Sequence, residues 1–356
     1  MAHDEKHRAD GVFEGGGVKG IAFAGAVAAA EEEAGVREWV NLAGTSAGAI
    51  VAALLAVGYD AAGIKKILAD AQYRRFADYG FGGRVIGGAL NAVRSRSLAP
   101  GRYFTDWLLE RLAESPLARE LGEEDLRFRH LRRPDLPARE EVPDVSDVQY
   151  ERAKYRLHVI ASDVTAGRMI VVPDQIEQYE DEHGNAFGKD DLRVVDAVRM
   201  SMSYPYLYEP VRVFRNGRPY YIVDGGLLSN FPIWLFDGPN PRRPTYGFRL
   251  HGGATPEEPL PYRTIPRPLW PVPLIKAMFF SAMEAWDREH LGGAAYARTV
   301  SIPTHDVKTT DFNLSADTAQ ALYGWGEEAA RRFFKSPKVR EYQNSFGERL
   351  AIATPS

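Results

Sequence analysis

The sequence predicts an α/β fold: a mostly parallel central sheet followed by a C-terminal helical extension. Three observations lead there. Short apolar runs alternate with alanine- and leucine-rich helical stretches as far as about residue 250. The opening reads strand, glycine loop, helix, strand, sharp turn, helix, a βαβα order that calls for parallel strands. Beyond residue 250, Pro256, Pro259, Pro261, Pro266, Pro268, Pro271 and Pro273 make a stiff connector, and the patterns after it have a helical period.

The elements follow in order. Gly11-Val12-Phe13 ends a first strand, and Glu14 to Gly20 makes a glycine loop leading into an alanine-rich helix that stops near Gly35. Trp39 to Ala43 is a buried strand and Ala47 to Val57 the helix packed on it. Thr105 to Leu121 reads as a helix, and the charged, three-proline stretch Pro134 to Asp147 as an exposed loop. Strands are expected over Tyr155 to Ser162, Met169 to Val172, Tyr220 to Val223 and Thr245 to Leu250, with a helix over Asp191 to Met202. Helices near Leu274 to Leu291 and over Asp317 to Phe334 close the chain. The boundaries expected are a catalytic domain over 10–250 and an extension over 251–356 packed on the same domain.

Composition narrows the function classes. In 356 residues, 45% hydrophobic and 26% charged content is ordinary for a soluble globular chain with a sizeable core. A formal charge of −4 argues against a nucleic-acid binder. The absence of cysteine excludes disulfides, thiolate metal sites and cysteine nucleophiles, and suits a reducing, cytoplasmic compartment. Met1 to Asp10 lacks the apolar core of a signal peptide, and no stretch is long and apolar enough to span a bilayer. Contact with a membrane would be peripheral. No metal-ligand cluster stands out, so neither metal nor cofactor is expected.

The central motif is Gly44-Thr45-Ser46-Ala47-Gly48. With 33 glycines in the chain the five-residue pattern alone is weak; its place between a strand and a helix is what counts. There G-x-S-x-G forms a nucleophile elbow, holding the serine hydroxyl out at the strand end above a helix N-terminus. Upstream, Gly15, Gly17 and Gly20 satisfy G-x-G-x-x-G, which invites a dinucleotide-binding reading. That reading wants an acidic residue at the end of the second strand, where Gly44-Thr45-Ser46 stands, and Lys19 occupies the helix entry. A P-loop also fails, since no Gly-Lys-Ser/Thr follows at the required spacing. The better reading is that backbone N–H groups of Gly15, Gly16, Gly17 and Val18 face an oxygen that turns negative during acyl transfer. A purely structural turn is the bland alternative.

A serine hydroxyl needs a base. Of eight histidines, only His251 follows an expected strand, and so only it offers a Ser-Asp-His order. Asp224 is stronger. It ends the apolar run Tyr221-Ile222-Val223 before Gly225-Gly226, so it should stand at the sheet edge where Ser46 opens. Partial withdrawal from water there would raise its pKa toward that of a competent base. Taken alone, Asp-Gly-Gly is a β-turn.

Together these residues resemble the patatin-like phospholipase family, whose pattern joins a glycine-rich oxyanion loop with a basic residue, a G-x-S-x-G elbow and an Asp-Gly-Gly. Here they stand in that order as Gly15-Gly16-Gly17-Val18-Lys19-Gly20, Gly44-Thr45-Ser46-Ala47-Gly48 and Asp224-Gly225-Gly226. Ser201-Met202-Ser203-Tyr204-Pro205 through Pro210 and Asn230-Phe231-Pro232 match further family features. The resemblance covers roughly Val12 to Leu250. It implies a three-layer α/β/α fold and a Ser46–Asp224 dyad without histidine, hydrolysing lipid or simpler carboxylic esters. Lys19 would add positive charge or fix the loop, with Gly20, Gly44, Gly48, Gly225 and Gly226 in support. Tyr204 and Tyr206 stand where smaller residues are common, which bears on the shape of the acyl pocket.

Two readings from other classes stand beside this one: an acyltransferase using the same dyad, and a non-catalytic nucleotide- or lipid-binding module. For membrane contact, Phe81 to Arg102 interleaves apolar residues with arginines and reads equally as a mobile lid or a solvated loop. The stripe Ile275, Phe279, Met283, Trp286 reads as core or subunit contact before a membrane foot.

Overall fold

Eight strands are described in the computed structural model: β1 (Arg8–Phe13), β2 (Glu38–Thr45), β3 (Leu157–Asp163), β4 (Arg168–Val172), β5 (Val211–Arg215), β6 (Arg218–Asp224), β7 (Thr245–His251) and β8 (Thr299–Pro303). The described residues are 7–76 and 101–352, apart from 144, 206, 239–240, 253–292 and 310. The strands form one sheet in the order β5-β6-β3-β2-β1-β7-β8, with β4 paired to β3 off that path. β1, β2, β3, β7 and β8 pair in parallel. β4 and β6 run antiparallel to β3, and β5 antiparallel to β6.

One detail of register positions the site. Ile160 lies between Thr45 of β2 and Val171 of β4, while the next residue, Ala161, lies between Asp224 of β6 and Ile170 of β4. β2 and β6 therefore share the edge of β3 opposite β4, β2 along its first half and β6 along its second. They run toward each other and stop end to end. Asp224 does reach the edge where Ser46 opens, as expected, but head-on from an antiparallel strand rather than from a parallel neighbour.

The longer helices are α1 (Ile21–Glu33), α2 (Ala47–Ala56), α3 (Ala61–Ala69), α4 (Arg102–Ala113), α5 (Val194–Ser201), α6 (Ala316–Phe334) and α7 (Pro337–Ile352). All ten residues of α2 are buried, which its unbroken Ala, Ile, Val and Leu content requires. α6 packs on both α1 and β8, and glycines let α1 and α6 touch: a Cβ at Gly25 would stand 2.0 Å from Tyr323 O, and one at Gly326 1.9 Å from Ala22 O. Phe13 of β1 stacks on Phe248 of β7 at 4.9 Å and meets Phe23 of α1 edge-on at 5.6 Å. On the other face Val12, Ala43, Ile160 and Val171 pack against Phe231 and against Ile233 and Leu235 of the short helical turn Ile233–Phe236.

Several expectations need adjustment. The stretch Thr105 to Leu121 is two helices, because Ser115 caps a new one with Pro116 in its first turn. β5, β8, α3 and α7 were not foreseen. β8 lies inside the extension expected to be helical, and it adds a parallel strand beside β7. The Phe81–Arg102 stretch lies outside the described residues except at Gly101 and Arg102. The proline connector and the Ile275–Trp286 stripe lie wholly outside them.

Candidate active site

Ser46 follows β2 directly and caps α2, with φ 53° and ψ −123°, a conformation that a non-glycine residue holds at a cost of about 1–3 kcal/mol. The strain falls on the serine rather than on the flanking glycines. Those serve close approach: a Cβ at Gly44 would stand 2.3 Å from Gly48 C and O, and one at Gly48 2.3 Å from Phe13 O. Together they let β2 fold back onto α2, and α2 press against the end of β1.

Opposite, Asp224 is buried, only 3% exposed. Its Oδ1 accepts the Gly226 N–H at 2.8 Å, and a Cβ at Gly225 would stand 2.2 Å from Ile160 O, so both glycines of the turn are committed. Oδ2 is buried without a hydrogen-bond partner. Burial pushes the Asp224 carboxyl up to about 7, against smaller downward contributions from the Gly226 N–H and the Ser46 hydroxyl. Ser46 Oγ is thus near enough to favour the carboxylate, yet it points at Met202 Sδ, 3.5 Å away, and completes no hydrogen bond with Oδ2.

The serine-rich segment after α5 joins the two strand ends. Ser201 Oγ accepts the Ser46 N–H at 2.8 Å and donates to Ile160 O at 2.5 Å. Ser203 O accepts the Asp224 N–H at 2.9 Å. Met202, between them, contacts the Ser46 hydroxyl. Sequence marked this segment only by likeness; its role as a clamp depends on where α5 lands.

The glycine loop lies against the elbow, since a Cβ at Gly15 would stand 3.3 Å from Ser46 Cβ and one at Gly20 3.2 Å from Ala47 Cβ. Two of its four expected donors are engaged: Gly15 N–H donates to Asn230 O at 3.1 Å and Val18 N–H to Thr309 O at 3.2 Å. The N–H groups of Gly16 and Gly17 have no acceptor among the described residues, and Gly17 has a positive φ of 57°. Asn230 returns a hydrogen bond to Gly15 O at 3.3 Å, so the Asn230-Phe231-Pro232 match anchors this loop. Lys19 Nζ donates to Thr304 Oγ1 at 3.3 Å, and burial lowers its pKa against the opposing pull of the Glu14 carboxylate. Lys19 fixes the loop to the segment after β8.

His251 ends β7, which is separated from β2 by β1, and it does not line the cavity beside Ser46. That cavity, about 50 Å³, is lined by apolar and aromatic side chains, among them Ile50, Tyr73, Phe76, Tyr204 and Phe312. Tyr204 therefore does shape the space next to the nucleophile; Tyr206 is outside the described residues. Tyr73 and Phe76 had a faint sequence signal, an aromatic pair three apart before a glycine-rich stretch. Thr309 and Phe312 had none. Among the described residues no group of acidic and histidine side chains could hold a metal, and no helix is long and apolar enough to cross a membrane.

The comparisons with known proteins agree with this architecture. The family model for patatin-like phospholipases matches residues 11–237, and the chain belongs to that family. It is 33% identical over 328 residues to the uncharacterized protein YqhO of Bacillus subtilis (strain 168), covering 92% of this chain and 98% of that one. Among solved structures it resembles VipD from Legionella pneumophila, with a TM-score of 0.51 and 15% identity over 92% of this chain and 67% of the other. A chain of the ExoU–SpcU complex from the type III secretion system of Pseudomonas aeruginosa matches at TM-score 0.47 and 19% identity, over 94% of this chain and 52% of that one. The fold is the patatin-like mixed, mostly parallel sheet with helices on both sides, and family membership supports lipid hydrolysis as the broad activity.

Proposed function

We propose that this chain is a serine lipid acyl hydrolase with Ser46 as nucleophile and Asp224 as its base. The observation that carries the reading is the end-to-end meeting of β2 and β6 along one edge of β3. It sets a strained serine beside a buried carboxylate whose free oxygen has no other partner. A binding module needs neither feature.

Ser46 Oγ attacks the ester carbonyl carbon as its proton passes to Asp224 Oδ2. The carbonyl oxygen, now negative, takes the free N–H groups of Gly16 and Gly17, donors of a kind worth about 2.7–4 kcal/mol each in an oxyanion hole. The C–O bond breaks and the alcohol leaves with the proton from Asp224. Water then attacks the acyl-enzyme, giving a proton to Asp224, which returns it to Ser46 as the carboxylic acid departs. The apolar lining of the cavity beside Ser46 suits the carbons nearest the ester carbonyl of a phospholipid, lysophospholipid or simpler ester, met by peripheral contact with its membrane or micelle.

The test is hydrolysis of a short-chain p-nitrophenyl ester and of phospholipid vesicles by wild type, Ser46→Ala and Asp224→Asn. Folding is checked by circular dichroism. Both variants should fold and lose at least about a thousandfold in kcat. Activity surviving in Asp224→Asn but lost in His251→Ala would replace the dyad with a histidine triad. Ester exchange in the presence of added alcohol would identify an acyltransferase.

A further inference from the structure

A larger cavity, about 210 Å³, opens at the other end of the parallel strands, where Asp10 enters β1 and Arg243 precedes β7. It shares no lining residue with the cavity beside Ser46. Its charged lining is Arg8, Arg133, Arg152, Arg242 and Arg243 against Asp10, Asp135 and Asp237. Carboxylates hold three of the arginines: Arg8 pairs with Glu38 and Asp135, Arg133 with Asp135, and Arg152 with Asp174. Asp237 is held from outside the lining by Arg298.

The other two arginines are under-compensated. Arg243, 9% exposed, reaches Asp10 Oδ1 only at 3.6 Å, and its Nη1 is buried with no hydrogen-bond partner. The same Asp10 oxygen already accepts the backbone and side-chain N–H groups of Asn41 at 3.0 and 2.8 Å. Arg242, exposed, has no ion pair among the described residues. Most of the remaining wall is apolar, built from Leu136, Val142, Val145, Leu235 and Phe236, with Asn41 and Gln149 as its neutral polar members.

We propose that this cavity binds a small organic anion: a carboxylate or phosphate group on a short apolar body. The guanidinium forks of Arg242 and Arg243 match either head group. A cavity of about 150 Å³ holds a benzene ring, so this one has room for a six-carbon chain beside the head. A built pocket with surplus positive charge and one apolar wall selects an amphipathic anion over a neutral alcohol or a bare ion. The site is independent of Ser46 and Asp224.

The test is calorimetric titration of the full-length protein with hexanoate, hexyl phosphate, hexanol and inorganic phosphate. One of the two amphipathic anions should bind at a single site, and the tighter one names the head group. Arg242→Glu should weaken that binding at least about tenfold through loss of a charge-assisted pair. Val145→Trp, which fills the apolar side, should abolish it. Both variants should keep wild-type ester hydrolysis. Hexanol binding as tightly as either anion, inorganic phosphate binding as tightly as hexyl phosphate, no binding of either anion, or equal affinity in Arg242→Glu would each overturn the assignment.

Discussion

Asp224 is where stability and chemistry oppose each other. Its carboxyl keeps a proton to about pH 7 in the folded protein, against an ordinary value of 3.8 in the unfolded chain. Between those values the native state binds more protons, so the stability this group contributes is present below about pH 4 and is lost as pH rises through 7. Hydrolysis by the proposed dyad needs the opposite form. The acid limb of kcat/KM should therefore have an apparent pKa near 7, where fold stability is declining. Asp224→Asn keeps the shape and removes the charge. Relative to wild type it should gain stability from pH 5 to pH 9, by up to about 3 kcal/mol, as it loses activity. Urea melts at the two pH values check this, and an equal difference at both would contradict it. Ser201 makes a different prediction. Ser201→Ala leaves the Ser46 N–H and Ile160 O without their partner, which should cost about 1–3 kcal/mol of stability. It should also lower kcat more than it changes KM, because it frees the elbow without touching substrate.

Between elements, the crossing of α1 and α6 is set by backbone contact rather than by interdigitating side chains. Gly25→Ala places a methyl 2.0 Å from a carbonyl oxygen of the facing helix. Such overpacking should cost about 1–3 kcal/mol, seen as a lower urea midpoint at unchanged slope. Gly122→Ala is the control. Nothing lies within 4 Å of a Cβ there, so any cost comes from its positive φ alone. The hairpin β5–β6 carries its own sequence signature, Asn216-Gly217, both at positive φ, the pair that a tight two-residue hairpin turn requires. That signal was present in the chain, and its flanking strand β5 could have been found from it. β8 offered much less: five residues beyond a long proline-rich stretch, recognisable only by the edge of β7 that they cover.

Across the molecule, the half that carries Ser46 and Asp224 and the C-terminal part are one folding problem. The family match ends at residue 237, yet β8 pairs along β7, α6 lies on α1, and α7 reaches back so that the Thr245 N–H donates to Tyr342 Oη at 3.1 Å. Lys19 of the glycine loop is tied to Thr304, and Val18 to Thr309, both beyond β8. A chain ending at residue 250 should consequently expose the edge of β7 and the apolar surface of α1. It should fail to give a folded, active monomer by size-exclusion chromatography and ester assay. A soluble, active truncation would show that the first 250 residues fold alone.

The order of the motifs, the βαβα opening, the elbow at Ser46 and the Asp-Gly-Gly turn were legible in the chain because each depends on local chemistry. Glycines stand where backbones must touch, apolar runs have a fixed period, and a polar residue sits at a strand end. Which N–H groups of the glycine loop remain free was not legible, because that depends on Asn230 and Thr309 arriving from far along the chain. Nor was the direction from which Asp224 approaches. A strand's local sequence carries no information about which edge it will share or which way it will run. It took the packing of β2 and β6 on one edge of β3 to bring hydroxyl and carboxylate together, and the burial that followed to raise the carboxyl toward neutral pH.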